Sequence, residues 1–320
     1  MSIGLEVAIL PGIAIARRID KDGDLKRHLL LMPALGLLVC LGISGACFLL
    51  GWALSTLTSL LILTNIIAVI AIRIELEPVH HTKIIQRSPW FWIFTIIAFV
   101  MAVTPLSYGS PMGVDWIGFS VLADSISRTG GFILSEPSIG TWTYPPAFPM
   151  LAAWMGGEPH ISVFILGTMC FAALLLGISA IGEKMGCGHW TIMAMLLAPA
   201  LFAKNLDSGY PTVASQLGLI VILTMFSTKL RWEIVAITAI TVAMIHPTGL
   251  IYLTTLVSAK LLVSKSESIS LTEKIQYSFL ALITLFVILI LAPAFGGEAV
   301  FAEYGWQGGT PMAIYAGLLL

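Results

Sequence analysis

The chain has 320 residues, of which 58% are hydrophobic and only 10% charged, and its mean hydropathy is +0.97. This apolar surface exceeds what a single core can bury, which argues against a water-soluble fold and predicts a polytopic membrane protein. The net charge of −1 offers no attraction for a polyanion, so nucleic acid is not expected as a partner.

The N-terminal residues predict neither a cleaved leader nor a clear first span. Glu6 lies within the first apolar stretch and no basic residue precedes it, so we expect no removable signal peptide. The run at residues 4–16 contains Pro11 and Gly12 and is short for a span, which suits a broken or re-entrant helix as well as a thin span. The four cysteines follow no disulfide or metal-binding spacing.

Nine later apolar runs reach or approach the roughly 20 residues that a helix needs to cross a bilayer. They cover residues 29–50, 53–72, 89–107, 160–181, 189–204, 212–228, 232–246, 247–263 and 275–293. Short breaks at Gly51 and at His246 and Pro247 predict two tight hairpins. The fold class expected is all-α, a polytopic transmembrane helix bundle of about 9–11 membrane segments with surface helices in a large outer loop.

Three regions are expected along the chain. Residues 1–88 supply N-terminal membrane segments, and residues 89–293 form a transmembrane core whose outer loop spans 108–159. Residues 294–320 form another outer loop and about half a span, so the chain either ends in the interface or is a piece of a longer protein.

The distribution of cations predicts the orientation. An alternation of spans that places residues 17–27, 73–87, 184, 229–231 and 260–274 on one side collects fourteen of the sixteen Lys and Arg there. The positive-inside rule makes this the inner side of a multi-pass protein of the cell membrane. Arg128 and Lys204 then lie outside, together with the loop 108–159, the segment 205–211 and the turn at His246.

The outer loop contains an amphipathic segment. Over residues 116–128, Trp116, Phe119, Leu122, Ala123 and Ile126 share one arc of a helical wheel, with polar residues on most of the rest. This pattern predicts a helix that lies on the membrane surface and ends at the two glycines that follow. A second short apolar piece at residues 150–155 precedes the next span.

Three elements of this loop occur in a recognisable order: Gly113, Val114 and Asp115; then Ala123, Ile126, Thr129, Gly130 and Gly131; then Tyr144, Pro145, Pro146, Phe148 and Pro149. Over residues 89–160 this order resembles the GT-C superfamily of integral membrane glycosyltransferases. The resemblance implies a polyprenyl-phosphate sugar, or a similar lipid-linked donor, as partner within the membrane lipid. It also implies an acidic residue at the start of the loop, here Asp115, as the catalytic group.

The roles of these loop residues remain open between a site and ordinary structure. Asp115 is the candidate general base, and the alternative is that it only caps the following helix. Arg128 either meets a lipid phosphate or forms a solvated ion pair with Asp124. Tyr144 either stacks on a sugar or anchors the loop at the interface.

Three residues from later segments are further candidates for the same outer site. Lys204 either meets the donor phosphate or extends from its helix end to the interface. Asp207 and His246 are candidate substrate-binding groups, although His246 before Pro247 can instead satisfy backbone groups freed by the proline. A divalent cation bridging Asp115 and Asp207 is conceivable, but no spacing in the sequence requires it.

The sequence therefore favours a membrane glycosyltransferase that moves a sugar from a lipid-phosphate donor to an acceptor on the outer face. The alternative is a non-enzymatic polytopic transporter or membrane assembly factor. Charged groups at mid-span and paired broken helices would favour transport, whereas the ionisable residues here cluster near predicted helix ends.

Overall fold

The computed structural model describes residues 10–74, 88–130, 145–226 and 230–263, and all regular structure in these ranges is helical. A short 3-10 helix occupies Thr104–Tyr108. The α-helices are α1 Pro11–Ile19, α2 Leu25–Leu49, α3 Leu54–Ile74, α4 Pro89–Val103, α5 Asp115–Thr129, α6 Ala147–Met155, α7 Pro159–Lys184, α8 Gly188–Leu196, α9 Pro199–Leu206, α10 Tyr210–Ser215, α11 Leu217–Thr224, α12 Trp232–Ile245 and α13 Pro247–Val263.

Among the described residues, four helical stretches are long and apolar enough to cross a membrane: Leu25–Leu49, Leu54–Arg73, Pro89–Tyr108 and Pro159–Lys184. The most apolar windows of the second and third are only 22% and 28% buried. They leave large aliphatic side chains such as Ile66, Ile67 and Ile96 more than half exposed. Contiguous exposed apolar faces of this size are typical of surfaces that contact lipid.

Two of the predicted spans are broken helices. The run 189–204 divides into α8 and α9 at Pro199, since proline lacks the N–H that would continue the helix and its ring clashes with the preceding turn. The run 212–228 divides at Gln216 into α10 and α11. Both predicted hairpins are confirmed: Gly51, in the left-handed region with φ +66°, separates α2 from α3, and His246 separates α12 from α13.

The long helix α7 lies at the centre of the bundle and contacts α2, α4, α5, α8, α10 and α11. Most of its apolar side chains are buried, including Leu166, Cys170 and Phe171. Gly167 permits the closest approach, because a Cβ there would lie 2.3 Å from the ring of Tyr210. A helix that is apolar on every side belongs in such an interior position.

The outer-loop helices differ from the surface helices that were expected. The predicted apolar arc of α5 is correct, but Phe119, Leu122 and Ile126 are buried against the protein, with Phe119 and Phe148 of α6 in edge contact at 6.0 Å. Helix α6 is buried over Ala147–Ala153, since it has no polar face to present to water. The exposed apolar side chains of α5 are instead the two exceptions to the pattern, Ile117 and Val121.

The predicted inner end contains a buried charge cluster that joins three parts of the chain. Asp20, after α1, accepts hydrogen bonds from Arg27 Nε at 2.6 Å and from Lys184 Nζ at 2.8 Å, and its side chain is fully buried. Lys184 also donates to the carbonyl oxygen of Thr224 at 2.6 Å. The ends of α1, α2, α7 and α11 therefore meet around one carboxylate.

Some predicted segments fall outside the described residues. These are residues 4–9 of the first apolar run, residues 131–144 of the outer loop, the run 275–293 and the segment 294–320.

Candidate functional site

Asp115 is the first residue of α5 and does not cap it. The chain leaves α4 through the 3-10 turn Thr104–Tyr108 and enters α5 with Val114 at the N-cap position, where no side chain accepts a capping hydrogen bond. The interpretation of Asp115 as a helix cap is therefore wrong. Its carboxylate projects from the helix N-terminus, where the helix dipole favours negative charge.

The segment before α5 is docked by its backbone on the turn between α9 and α10. Gly113 has φ +76°, and a Cβ at this position would lie 2.7 Å from the carbonyl group of Asp207. One turn further, the N–H of Trp116 donates to Oγ of Ser208 at 3.1 Å. These contacts fix the start of α5 against the 207–209 turn and bring Asp115 beside Asp207.

Lys204 connects the two carboxylates. Its Nζ lies 3.8 Å from Oδ2 of Asp115 and 3.6 Å from Oδ2 of Asp207. The three side chains are 41%, 26% and 59% exposed, respectively, so the group is partly sheltered and open to solvent on one side. Gly209 provides the space for the lysine, since a Cβ there would lie 2.2 Å from Cε of Lys204.

The surroundings of Asp115 alter its protonation. Burial raises the pKa of Asp115 above its usual value, the charge on Lys204 opposes this change, and the neighbouring charge of Asp207 adds to it. A carboxylate with a raised pKa accepts a proton more readily than an ordinary surface aspartate, which is the property expected of a general base.

His246 lies in the turn between α12 and α13, close enough to Lys204 for their charges to interact. Burial, with a smaller contribution from Lys204, lowers the pKa of His246 to about 3, so the ring is neutral at physiological pH. Nδ1 of the ring lies 3.2 Å from the backbone N of Thr248 and 2.5 Å from its Oγ1, so Thr248 holds the imidazole in the turn. His246 is therefore a weak base that remains neutral beside the charge of Lys204.

The remaining predicted site residues do not join this group among the described residues. Arg128 forms an ion pair with Asp124 at 2.6 Å and is 77% exposed, as the solvated-pair alternative required. It lies at the far end of α5 from Asp115, roughly 20 Å away at about 1.5 Å per residue. Tyr144 lies outside the described residues.

The Asp115, Lys204 and Asp207 side chains are here called the outer triad, and their arrangement bears on the divalent cation that the sequence left open. The ammonium of Lys204 already occupies the space between the two carboxylates that such a cation would need. Within the described ranges, no group of three or more His, Cys, Asp or Glu side chains is arranged to hold a metal. The outer triad therefore favours charge neutralisation by lysine.

Sequence reasoning missed the residues that hold the outer triad in place. Ser208 is fully buried, has φ +57° and accepts a hydrogen bond from the Trp116 N–H. In the sequence, the only signal for this anchoring role is its position in a short polar turn. Asn205 is also buried beside Lys204, and its Oδ1 has no hydrogen-bond partner among the described residues. His160 lies in the first turn of α7, and its ring centroid is 6.2 Å from that of Trp116.

No match was found when the chain was compared with protein-family models, with curated proteins and with solved structures. The outer triad combines a carboxylate of raised pKa with one cation and a second carboxylate, and a neutral imidazole lies nearby. Such a set can accept a proton from a hydroxyl group and can stabilise an anionic oxygen.

Proposed function

We propose that the protein is a multi-pass membrane enzyme that transfers a sugar from a lipid-phosphate donor to an acceptor hydroxyl on the outer face of the cell membrane. The observation that carries this proposal is the ion-paired contact of Lys204 with Asp115, between residues that are far apart in the sequence. A general base beside a cation is the pair of groups that transfer from a phosphate carrier requires.

In the proposed reaction, a carboxylate oxygen of Asp115 takes the proton of the acceptor hydroxyl. The acceptor oxygen forms a bond to the anomeric carbon of the sugar, and the bond between that carbon and the phosphate oxygen breaks. The lipid phosphate leaves with the electron pair and the additional negative charge. Lys204 stabilises this charge as its contact with the more exposed Asp207 is exchanged for one with phosphate.

Two further features support this assignment. His246 is a neutral imidazole near Lys204, so it cannot compete with Asp115 for the acceptor proton. The outer triad also follows directly after the apolar stretch Pro89–Tyr108, so a lipid-linked donor would have its phosphate at the depth of the triad. The resemblance of residues 89–160 to GT-C enzymes implies the same placement.

The transfer proposal is tested with purified protein and isotope-labelled polyprenyl-phosphate sugars. Asp115→Asn should reduce transfer roughly 10²-fold or more, the usual contribution of a positioned base. Asp124→Asn on the same helix is the matched control and should remain close to wild type, since Asp124 only pairs with the exposed Arg128. Near-normal transfer by Asp115→Asn would overturn the catalytic assignment. Absence of transfer by wild-type protein with all donors tested would favour the transporter or assembly alternative.

Orientation is tested separately by labelling single cysteines in a background without the four native ones. A cysteine at Ser110, beyond the apolar stretch Pro89–Tyr108, should react with an impermeant reagent from outside. A cysteine at Asp22, beside the buried charge cluster, should react only after permeabilisation. Both positions are exposed in the folded protein. The reverse labelling pattern would contradict the proposed outer location of the triad.

A further inference from the structure

An apolar groove of about 660 Å³ lies between α1, α2, α11 and α12. Aliphatic side chains form its walls, running from Leu35 to Ala46 on α2 and from Ile234 to Met244 on α12. The charged side chains of its lining are Arg18, at the end of α1, and Arg231 and Glu233, at the start of α12. The groove thus has a long hydrocarbon wall and a charged mouth at the predicted inner end.

The length of the groove matches one lipid chain. Along α12, the distance from Arg231 to Met244 is roughly 20 Å at about 1.5 Å per residue, which exceeds half of the ~30 Å hydrocarbon core. Ile237 is 66% exposed on one wall, so the groove opens laterally and a chain can enter from the bilayer. Exposure of this apolar surface to water would be unfavourable. An acyl chain lying along the groove would supply van der Waals contacts to its aliphatic side chains.

The charge at the mouth selects the headgroup. Arg231 Nε donates to Oε1 of Glu233 at 2.8 Å and Nη2 lies 2.7 Å from the same oxygen, so these two charges largely offset each other. Arg18 is exposed and makes no ion pair with the described residues. The mouth therefore has a net positive charge at the membrane surface, and a guanidinium group binds phosphate oxygens in a bidentate manner.

We propose that this groove binds an anionic glycerophospholipid of the inner leaflet, with one acyl chain along α2 and α12 and the phosphate at Arg18 and Arg231. Basic pockets between membrane helices on the inner side are suited to such headgroups. The site lies at the opposite end of the bundle from the outer triad. It depends on the proposed membrane orientation but not on sugar transfer.

Native mass spectrometry of the full chain released from nanodiscs tests this site. The nanodiscs contain equal amounts of phosphatidylglycerol and phosphatidylcholine with identical acyl chains, and no sugar donor is added. Wild-type protein should retain phosphatidylglycerol preferentially, and Arg18→Gln should reduce the preference about fivefold, the effect expected for one cation near the surface. Arg17→Gln is the matched control, because it removes the same charge one residue away and Arg17 does not line the groove.

A second variant tests the position of the acyl chain. Val39→Trp places an indole within the groove and should reduce retention of both phospholipids, whereas Ile66→Trp on the exposed face of α3 should not. A photoreactive acyl phosphatidylglycerol should crosslink to peptides of α2 or α12. Equal retention of the two lipids by wild type, or equal effects of Arg17→Gln and Arg18→Gln, overturns the proposal. Crosslinking only to other helices overturns it as well.

Discussion

The backbone N–H of Trp116 donates a hydrogen bond to Oγ of Ser208 over 3.1 Å, although 92 residues separate the two in the chain. This bond joins the start of α5, which carries Asp115, to the turn that carries Asp207. It also satisfies an N–H in the first turn of a helix that has no side-chain cap. The geometry of the outer triad therefore depends on residues that do not belong to it.

Replacing Ser208 with Ala removes this acceptor and leaves the Trp116 N–H without its partner. We expect a loss of about 1–3 kcal/mol in the free energy of unfolding, the cost of leaving a sheltered donor unsatisfied. Thermal unfolding of the purified protein in detergent measures the effect. Ser59→Ala is the control, because Ser59 is exposed and bonds only within its own helix. A Ser208→Ala protein as stable as the control would contradict the anchoring role.

Glycine substitutions distinguish backbone docking from backbone strain. Gly113 and Gly109 have similar positive φ angles, +76° and +72°, so alanine at either position costs about 1–2 kcal/mol for the left-handed conformation. Only at Gly113 would the new Cβ meet the backbone of Asp207, since nothing lies within 4 Å of one at Gly109. We expect Gly113→Ala to unfold at a clearly lower temperature than Gly109→Ala. Equal unfolding temperatures would show that the two segments are not closely docked.

The buried carboxylate at the inner end makes a separate stability prediction. Asp20→Asn removes the carboxylate that pairs with both Arg27 and Lys184 and leaves Glu183, 3.7 Å from Arg27, as the remaining acid. Removing one partner from a buried charge cluster typically costs about 3–5 kcal/mol. Urea or thermal unfolding in detergent measures this loss. Asp124→Asn, which breaks only an exposed pair, should cost about 1 kcal/mol or less. Comparable losses in the two variants would contradict the structural role of the cluster.

The same cluster predicts how stability depends on pH. Burial opposes ionisation of Asp20, but hydrogen bonds from Arg27 and Lys184 outweigh it and lower the pKa of Asp20 below 3.8. A depressed pKa contributes stability that is present above 3.8 and is lost as the pH falls through the folded-state value. In wild type, the unfolding temperature should therefore fall below pH 4 more steeply than in Asp20→Asn. Parallel curves for the two proteins would refute this linkage.

The sequence was sufficient for features that depend on local periodicity. The hairpins at Gly51 and His246 and the apolar arc of α5 follow from proline, glycine and helical spacing, and the structure confirms them. Burial of α6 could not be predicted, because an apolar segment of this length is compatible with either a membrane surface or a protein interior. Local spacing does not encode which helices become neighbours.

The site was only partly predictable for the same reason. Asp115, Lys204, Asp207 and His246 were each identified as ionisable groups near predicted helix ends, but their contacts depend on how α5, α9 and α12 pack. The left-handed conformation of Ser208 gives no sequence signal, since glycine is the residue usually expected there.

The protonation of Asp115 provides the most specific test of the proposed chemistry. Its pKa is raised by burial, so its basic form, and with it the transfer rate, should increase with pH through a value above 3.8. Lys204 lowers this pKa and Asp207 raises it. Lys204→Met should therefore shift the acid limb of the pH–rate profile to higher pH, and Asp207→Asn should shift it to lower pH. Lys204→Arg keeps the positive charge and serves as the control for the first shift. If Lys204 had a purely structural role, Lys204→Met would change the rate without moving the acid limb of the profile. If Lys204→Met and Asp207→Asn shifted that limb in the same direction, Asp115 would be excluded as the titrating base.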